Sequence, residues 1–362
     1  MRKEFRLLFS SWWQMLFFVL LLVISVAMAF SVTNDSLLSG MAARDISALN
    51  GPFNEERIAQ IKEKYHMDDP TKVAYGNEFD PQIQLQQIYA SEYDLATERL
   101  NLIITGSGDL AAVDKAKALL ADMHFYYPIV WHNFFQEFAP SPFAIPIWPL
   151  LTAALIILGA NLLGEEYTLG TWLVLGKGRR AILLNKWLSL SIIGTAGTLL
   201  LHLLALFNPH NTGGLQIIGK RVAEVFNLVP LWDLSVLGTV LLNLLFWFLA
   251  VLLTVSVILL FSALFKNGFM NIIFCFLWLI VIPLALDGLF HIHPLVFPQN
   301  LIGLISITFQ PNIPNYPLGT FFHWRPYLMK SPYLTIVYVI LIPLVLSLLN
   351  LRLTRQMTRK WY

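Results

Sequence analysis

Long apolar stretches recur along the chain and constrain its fold more than any other feature. Six of them are long enough to cross the ~30 Å hydrocarbon core of a bilayer as α-helices, since each helical residue adds about 1.5 Å. They lie at about residues 12–32, 143–163, 185–207, 234–264, 269–290 and 333–351. Only 13% of the 362 residues are charged, against about 25% in soluble proteins. The sequence therefore predicts an all-α polytopic membrane protein with six transmembrane helices.

The first apolar stretch has some features of a secretory signal peptide. Basic residues precede it, and Ala27-Met28-Ala29 resembles a cleavage site. However, the stretch is long enough to span a bilayer, and further apolar stretches follow it. We therefore favour an uncleaved first transmembrane helix within an N-terminal region, residues 1–33.

The largest polar segment, residues 34–142, separates the first two apolar stretches. It carries 16 acidic and 8 basic residues, a net charge of −8, whereas the rest of the chain has a net charge of +10. Apolar spacing predicts helices at 53–66, 81–100 and 109–123, and residues 101–105 resemble a short strand. The segment is therefore predicted to be a mainly helical domain.

Basic residues in the other connections indicate the orientation of the chain. With six helices, most of them fall on one side, which the positive-inside rule makes cytoplasmic. They are Arg2, Lys3, Arg6, Lys177, Arg179, Arg180, Lys266, Arg352, Arg355, Arg359 and Lys360. We therefore expect both termini in the cytoplasm of a bacterial cell, a multi-pass protein in the plasma (inner) membrane, and domain 34–142 outside. Residues 143–362 would form the remaining five transmembrane helices.

A polar segment between the second and third apolar stretches carries the most informative motif. An acidic pair is followed by a glycine and threonine, an apolar patch, a basic cluster and a lysine where the third stretch begins. In order these are Glu165, Glu166, Gly170, Thr171, Trp172, Arg179, Arg180 and Lys186. The pattern predicts an amphipathic helix at the inner membrane interface, at about residues 164–182.

This motif resembles the coupling region of type-2 ABC transporter permeases, the membrane-spanning subunits of ABC exporters. Gly176 and Gly178 stand where that family often has a proline. The resemblance implies that two separate ATPase subunits, which bind ATP and Mg, dock on these residues. It also implies that the permease pairs with a second copy or a paralogue, and that residues 286–332 form an outer reentrant region.

The resemblance leaves several cargo classes open, namely antimicrobial peptides, lipids or lipid-linked polymers, and drugs. We favour export of a peptide, antimicrobial or other hydrophobic or amphiphilic compound. Ionisable residues are scarce within the apolar stretches, which argues for an external source of energy. The candidate pathway residues are His202, Asn243 and Asp287. The glycines from Gly170 to Gly178 do not fit a phosphate-binding loop, so we expect no catalytic site and no cofactor in this chain. Nor do we expect a metal site or a nucleic-acid partner.

Two other classes of function compete with the permease. A membrane sensor or scaffold would bind a ligand with domain 34–142, but it needs a cytoplasmic output domain, and only about eleven residues follow Leu351. An intramembrane enzyme needs converging acids, histidines or a nucleophile within the apolar stretches, and the sequence offers no such set.

Overall fold

The computed structural model describes residues 12–32, 49–67, 81–126, 147–160, 163, 179–206, 217–230, 233–265, 267–290, 296–303 and 332–359. Their elements are, in chain order, α1 (Trp12–Val32), β1 (Gly51–Pro52), α2 (Glu55–Tyr65), α3 (Pro81–Gly106), α4 (Leu110–Ala121), β2 (His124–Phe125), α5 (Ile147–Gly159), α6 (Arg179–Leu206), α7 (Val222–Phe226), α8 (Val236–Leu264), α9 (Gly268–Phe276), α10 (Ile282–Ala285), α11 (Pro298–Gly303) and α12 (Pro332–Arg359). Two π-helical segments, Leu277–Val281 and Leu286–Phe290, flank α10.

Four helical stretches in the described part of the chain are long and apolar enough to cross a membrane. They are Ala181–Leu204, Val236–Leu264, Gly268–Ala285 and Val339–Thr358. Two shorter apolar helices, Met15–Ala27 and Ile147–Gly159, lie in the regions of the first two predicted spans. The chain is therefore a polytopic helical membrane protein, and the total of six spans stays a prediction.

Helix α8 is the centre of the apolar bundle. It packs against α5, α6, α9, α11 and α12, and α1 packs against α5 and α6. Most of the large side chains of α8 are buried, whereas α1, α6, α9 and α12 each expose several large apolar side chains. A helix that is apolar on all sides suits either a protein interior or a lipid environment, and this bundle contains both kinds.

Small residues allow α5, α6 and α8 to approach closely. A Cβ atom on Gly159 of α5 would lie 2.6 Å from Ile258 Cγ2 and 2.7 Å from Leu190 Cδ2. A Cβ atom on Gly194 of α6 would lie 2.7 Å from Val251 Cγ1. These positions have no room for a larger side chain, which is how membrane helices with small residues achieve close contact.

Residues 49–67 and 81–126, which we call the α2–α4 domain, pack around two apolar cores, one of which also includes Val229. Phe53, Tyr89 and Phe125 stack edge to face or tilted in one core, with ring centroids 4.9–5.7 Å apart. Side-chain caps begin two of its helices, since Asn54 Oδ1 accepts from Arg57 N and Asp109 Oδ1 accepts from Ala111 N.

The predicted strand at residues 101–105 is wrong, because α3 continues as a helix to Gly106. Leu100 and Ile103 are three residues apart and fully buried, in a core that also contains Ala112 and Ala116 of α4. Burial on one helical face therefore outweighs the local strand preference of an Ile-rich stretch. Within the described residues, the strands are β1 and β2, which pair antiparallel.

The fifth predicted span, residues 269–290, departs from a regular α-helix. Its α-helical turns alternate with the two π-helical segments, and Pro283 lies in α10 between them. Proline has no N–H to donate to the preceding turn, so the local hydrogen-bond pattern must change near it. Sequence periodicity alone does not reveal such widened turns.

Candidate functional site

Only some of the predicted coupling residues fall in the described part of the chain. Glu165, Glu166, Gly170, Thr171 and Trp172 lie outside it. Arg179 and Arg180 form the first residues of α6. The roles of all these residues in ATPase coupling stay predictions.

Lys186 lies about two turns into α6, and its side chain is only 1% exposed. The side chain therefore points into the protein in this structure. A role of Lys186 in coupling would depend on contacts within this chain. The sequence predicted Lys186 together with surface residues, because a lysine at the start of a span is usually expected at the interface.

A cluster of polar contacts surrounds the end of α5, and we call it the α5 exit cluster. Ser262 Oγ of α8 donates to Ala160 O at 3.1 Å, and Asn271 Nδ2 of α9 donates to the same carbonyl oxygen. Leu163 N donates to Ser262 Oγ at 3.3 Å, and Cys275 Sγ donates to Asn271 Oδ1 at 3.3 Å. All five residues are buried.

The α5 exit cluster supplies hydrogen-bond donors to a carbonyl group at the end of α5. The last carbonyl groups of a helix have no partner within the helix, and leaving one unpaired in an apolar environment is costly. Here α8 and α9 supply the missing donors to Ala160 O. The predicted coupling segment, residues 164–182, begins directly after this cluster, so its stem is fixed to two other helices.

The cluster also lies beside the turn between α8 and α9. Helix α8 ends at Leu264 and α9 begins at Gly268, where Asn267 Oδ1 caps the helix by accepting from Phe269 N at 2.9 Å. Ser262 and Asn271 therefore lie on the two sides of one short turn. The sequence did not predict these contacts, since Ala160 is about 100 residues away from Ser262 and Asn271.

Two of the predicted pathway residues, His202 and Asn243, meet inside the bundle. Asn243 Nδ2 of α8 lies 3.4 Å from His202 Nε2 of α6, and His202 Nδ1 lies 2.8 Å from Thr198 O. A neutral imidazole with its proton on Nδ1 satisfies both contacts, because Nδ1 then donates and Nε2 accepts. The His202 ring also packs edge to face on Trp247, at 5.2 Å between centroids.

We call His202, Asn243, Trp247 and Trp148 the histidine cluster. Several polar atoms in it or close to it have no hydrogen-bond partner among the described residues. They include Asn243 Oδ1, Trp148 Nε1 and Thr152 Oγ1, all in buried side chains. Trp148 packs edge to face on Trp247, at 5.3 Å. Buried polar atoms usually have a hydrogen-bond partner, which can be protein, water or ligand, and the role of these atoms in a pathway stays a prediction. The third predicted pathway residue, Asp287, lies in the second π-helical segment, and its role stays a prediction.

The α2–α4 domain is attached to the loop that leads into α8. Lys115 Nζ donates to Asp233 Oδ2 at 2.6 Å, and Arg221 Nη1 donates to the same oxygen at 2.8 Å. Partial burial raises the pKa of Asp233, but the hydrogen bonds and charges of the two cations outweigh it and hold the pKa below its ordinary value.

A second set of contacts joins β2 to α7 and its flanks. Asn227 Nδ2 donates to His124 O at 2.7 Å, and Asn227 Oδ1 accepts from His124 N at 3.3 Å. Lys220 Nζ donates to Glu224 Oε1 at 2.6 Å, and Tyr126 Oη donates to the same oxygen at 3.2 Å. The Lys220 hydrogen bond lowers the pKa of Glu224, and the same bond raises the pKa of Lys220.

The described helices define a polytopic membrane protein. One family model, described as ABC-2 family transporter protein, matches residues 1–356. No curated protein and no solved structure matches the chain. The chain belongs to the ABC-2 transporter family and is a permease of an ABC transporter. Members of this family are membrane subunits for transport and are not themselves catalytic.

Proposed function

We propose that this chain is the permease subunit of an ATP-driven exporter that works with two separate ATPase subunits. The family match over residues 1–356 carries the proposal, since it covers the predicted coupling segment together with all predicted spans. ATP and Mg bind to the partner ATPases in this scheme. The permease pairs with a second copy of itself or with a paralogue in the lipid bilayer.

Residues 164–182 form the docking surface for the ATPases in this proposal. Glu165 and Glu166 offer charge, Trp172 offers an apolar contact, and Arg179 and Arg180 offer charge of the opposite sign. Such a mixed surface suits a partner groove with an apolar floor and charged rims. Closure of the ATPase dimer on ATP would push or turn this segment.

We further propose a bacterial plasma-membrane location with both termini in the cytoplasm. The distribution of basic residues supports this orientation. The α2–α4 domain then lies outside the cell, where it is placed to contact cargo or an accessory protein. The loop that holds Asp233 lies on the same side, as the contact between Lys115 and Asp233 requires.

The cargo class we propose is a peptide, antimicrobial or other amphiphilic compound. The histidine cluster supports a cargo with both polar and apolar groups, because unpartnered polar atoms of Asn243 and Trp148 lie in an aromatic environment. Asn243 and His202 would contact polar groups of the cargo, and Trp247 and Trp148 its apolar groups.

Co-purification from the native membrane tests the proposed function. The Glu165→Lys, Glu166→Lys double variant is compared with wild type, and a Glu63→Lys, Glu98→Lys double variant is the matched control. Glu63 and Glu98 are exposed residues of the α2–α4 domain, so the control makes the same charge change away from the proposed docking surface.

We expect wild type and control to retain an ATPase subunit and the Glu165, Glu166 variant to lose it. If no ATPase accompanies the wild-type chain in mild detergent, and the chain is a stable monomer, the proposed exporter with two separate ATPase subunits fails for this protein. The sensor or scaffold would then be the better hypothesis.

A further inference from the structure

We propose that Asn271 and Ser262 are positioning residues that transmit movement of the coupling segment to α8 and α9. This inference rests on the proposed function, because it assumes that ATPases act on residues 164–182. The two side chains do not contact an ATPase or a cargo in this scheme. They hold the stem of the segment, so that a displacement of the stem reaches both helices.

The first step of the argument is the number of contacts that fix a very short stretch of chain. Ala160 O accepts from both Ser262 and Asn271, and Leu163 N donates to Ser262 Oγ. Just before them, Gly159 packs directly against Ile258 of α8 and Leu190 of α6. The chain is therefore held on both sides of its exit from α5 before the coupling segment begins.

The second step is the environment of these contacts. Ala160, Leu163, Ser262 and Asn271 are at most 2% exposed. Water cannot replace a broken hydrogen bond at such a site, so a separation of the stem from α8 or α9 would leave polar groups unpaired. Moving the helices together with the stem keeps these hydrogen bonds. The cluster is therefore better suited to transmit a displacement than to absorb it.

The third step is the path that such a movement would take. Helix α8 runs from the α5 exit cluster to Val236, and the loop before Val236 binds the α2–α4 domain through Asp233. Val236 N also donates to Lys220 O at 2.9 Å, within the same loop. One helix therefore joins the stem of the coupling segment to the attachment point of the domain, about 40 Å away at 1.5 Å per residue.

If the hydrogen bonds of Ser262 and Asn271 only stabilised the end of α5, their loss would not alter the effect of nucleotide on distant residues. The test therefore measures such a distant effect. The permease and its ATPase are purified together in lipid nanodiscs. Amide hydrogen exchange of residues 217–236 is then compared between the nucleotide-free complex and the complex trapped with ATP and vanadate. Exchange reports local opening, and this region is far from the altered side chains.

The test variants are Asn271→Leu and Ser262→Ala. Asn271→Leu removes the donor at similar volume. Ser262→Ala removes a single oxygen and is the milder change, so it keeps the test possible if Asn271→Leu does not fold. Their matched controls are Asn350→Leu and Ser347→Ala. Asn350 Nδ2 donates to Ser256 Oγ of α8 at 3.0 Å, so it joins α12 to α8. Ser347 Oγ is buried without a hydrogen-bond partner in the described part of the chain.

We expect both test variants to retain the ATPase while the nucleotide-dependent change in exchange falls about tenfold, the effect of ~1.4 kcal/mol from one buried hydrogen bond. The controls should keep the wild-type change. The inference is overturned if the test variants keep that change, if the wild type shows none when trapped, or if folded test variants lose the ATPase. Absence of an ATPase from the wild-type complex would instead count against the proposed function.

Discussion

Lys115 Nζ lies 2.6 Å from Asp233 Oδ2, although 118 residues separate them in the chain. Lys115 belongs to α4, and Asp233 lies three residues before the first residue of α8. Arg221 contacts the same oxygen from the other end of the loop, where Val222 N donates to Leu234 O. The α2–α4 domain is therefore attached to the helix at the centre of the bundle and not only to its neighbours in sequence.

Replacement of Asp233 by asparagine is expected to loosen this attachment. The variant keeps the shape of the side chain but removes the charge that both cations contact. Because the pair is partly exposed, we expect a loss of about 1 kcal/mol and faster hydrogen exchange in α4. Glu98→Gln, an exposed acid on the neighbouring helix α3, is the control and should leave exchange unchanged.

The attachment at Asp233 should also depend on pH in a defined direction. The pKa of Asp233 in the folded protein lies below its ordinary value of 3.8, so the stabilisation is complete above about pH 4. It is lost as the pH falls through the lowered pKa, because the carboxyl group then binds a proton. Amide protection in α4, corrected for the intrinsic pH dependence of exchange, should therefore fall at acidic pH in wild type and less so in Asp233→Asn. Equal pH responses of the two proteins would contradict this assignment.

Asn227 has two separable roles that substitutions can distinguish. Its backbone is left-handed, at φ 45° and ψ 53°, and its side chain binds both backbone groups of His124. Asn227→Gly should lose only the hydrogen bonds, whereas Asn227→Ala should also strain the backbone by about 1 kcal/mol or more. Thermal unfolding should therefore rank wild type above Gly and Gly above Ala. A reversed order of the two variants would exclude backbone strain.

Gly159→Ala is expected to destabilise the bundle by about 1–3 kcal/mol. The added methyl group would approach Ile258 and Leu190 more closely than atoms can. Gly106→Ala is the control, since a Cβ atom there meets nothing within 4 Å. Thermal unfolding in detergent measures both effects. In a double-mutant cycle, Gly159→Ala should cost less in an Ile258→Ala background than in wild type, and an equal cost would mean that the contact with Ile258 is not the cause.

Asn243→Leu should reduce export while leaving the complex intact. The change removes the amide that contacts His202 and the unpartnered oxygen that we assign to cargo. Thr254→Val is the control, because it also removes an unpartnered buried oxygen from α8, three turns further along. In cells that depend on the permease and its ATPase, resistance to a panel of amphipathic peptides should fall about tenfold only in Asn243→Leu. Wild-type resistance of that variant would rule out its contact with these cargoes.

Local features of the sequence predicted the domain helices well. Helices predicted at residues 53–66 and 109–123 are observed as α2, Glu55–Tyr65, and α4, Leu110–Ala121. Helix α4 also begins with a local cap, in which the Asp109 side chain accepts a hydrogen bond from Ala111 N. These features depend on residues only a few positions apart, and so a reading of the sequence can find them.

Contacts between distant residues account for most of what the sequence did not predict. Asn271 and Ser262 are ordinary polar residues within apolar helices, and only the fold places them at Ala160 O. The pair of Lys115 and Asp233 is equally hidden in the sequence. His202 and Asn243 were both chosen as polar residues within spans, and the structure brings them together at 3.4 Å.

The close approach at Gly159 also restricts how this sequence can diverge. A descendant can replace Leu241, an exposed residue on α8, with almost any apolar residue, because lipid adapts to its shape. Gly159 can be replaced by a larger residue only if a smaller residue also replaces Ile258 or Leu190 in the same lineage. Paired changes at these positions among diverged copies would therefore record the packing of α5 on α6 and α8, even where little other sequence similarity is left.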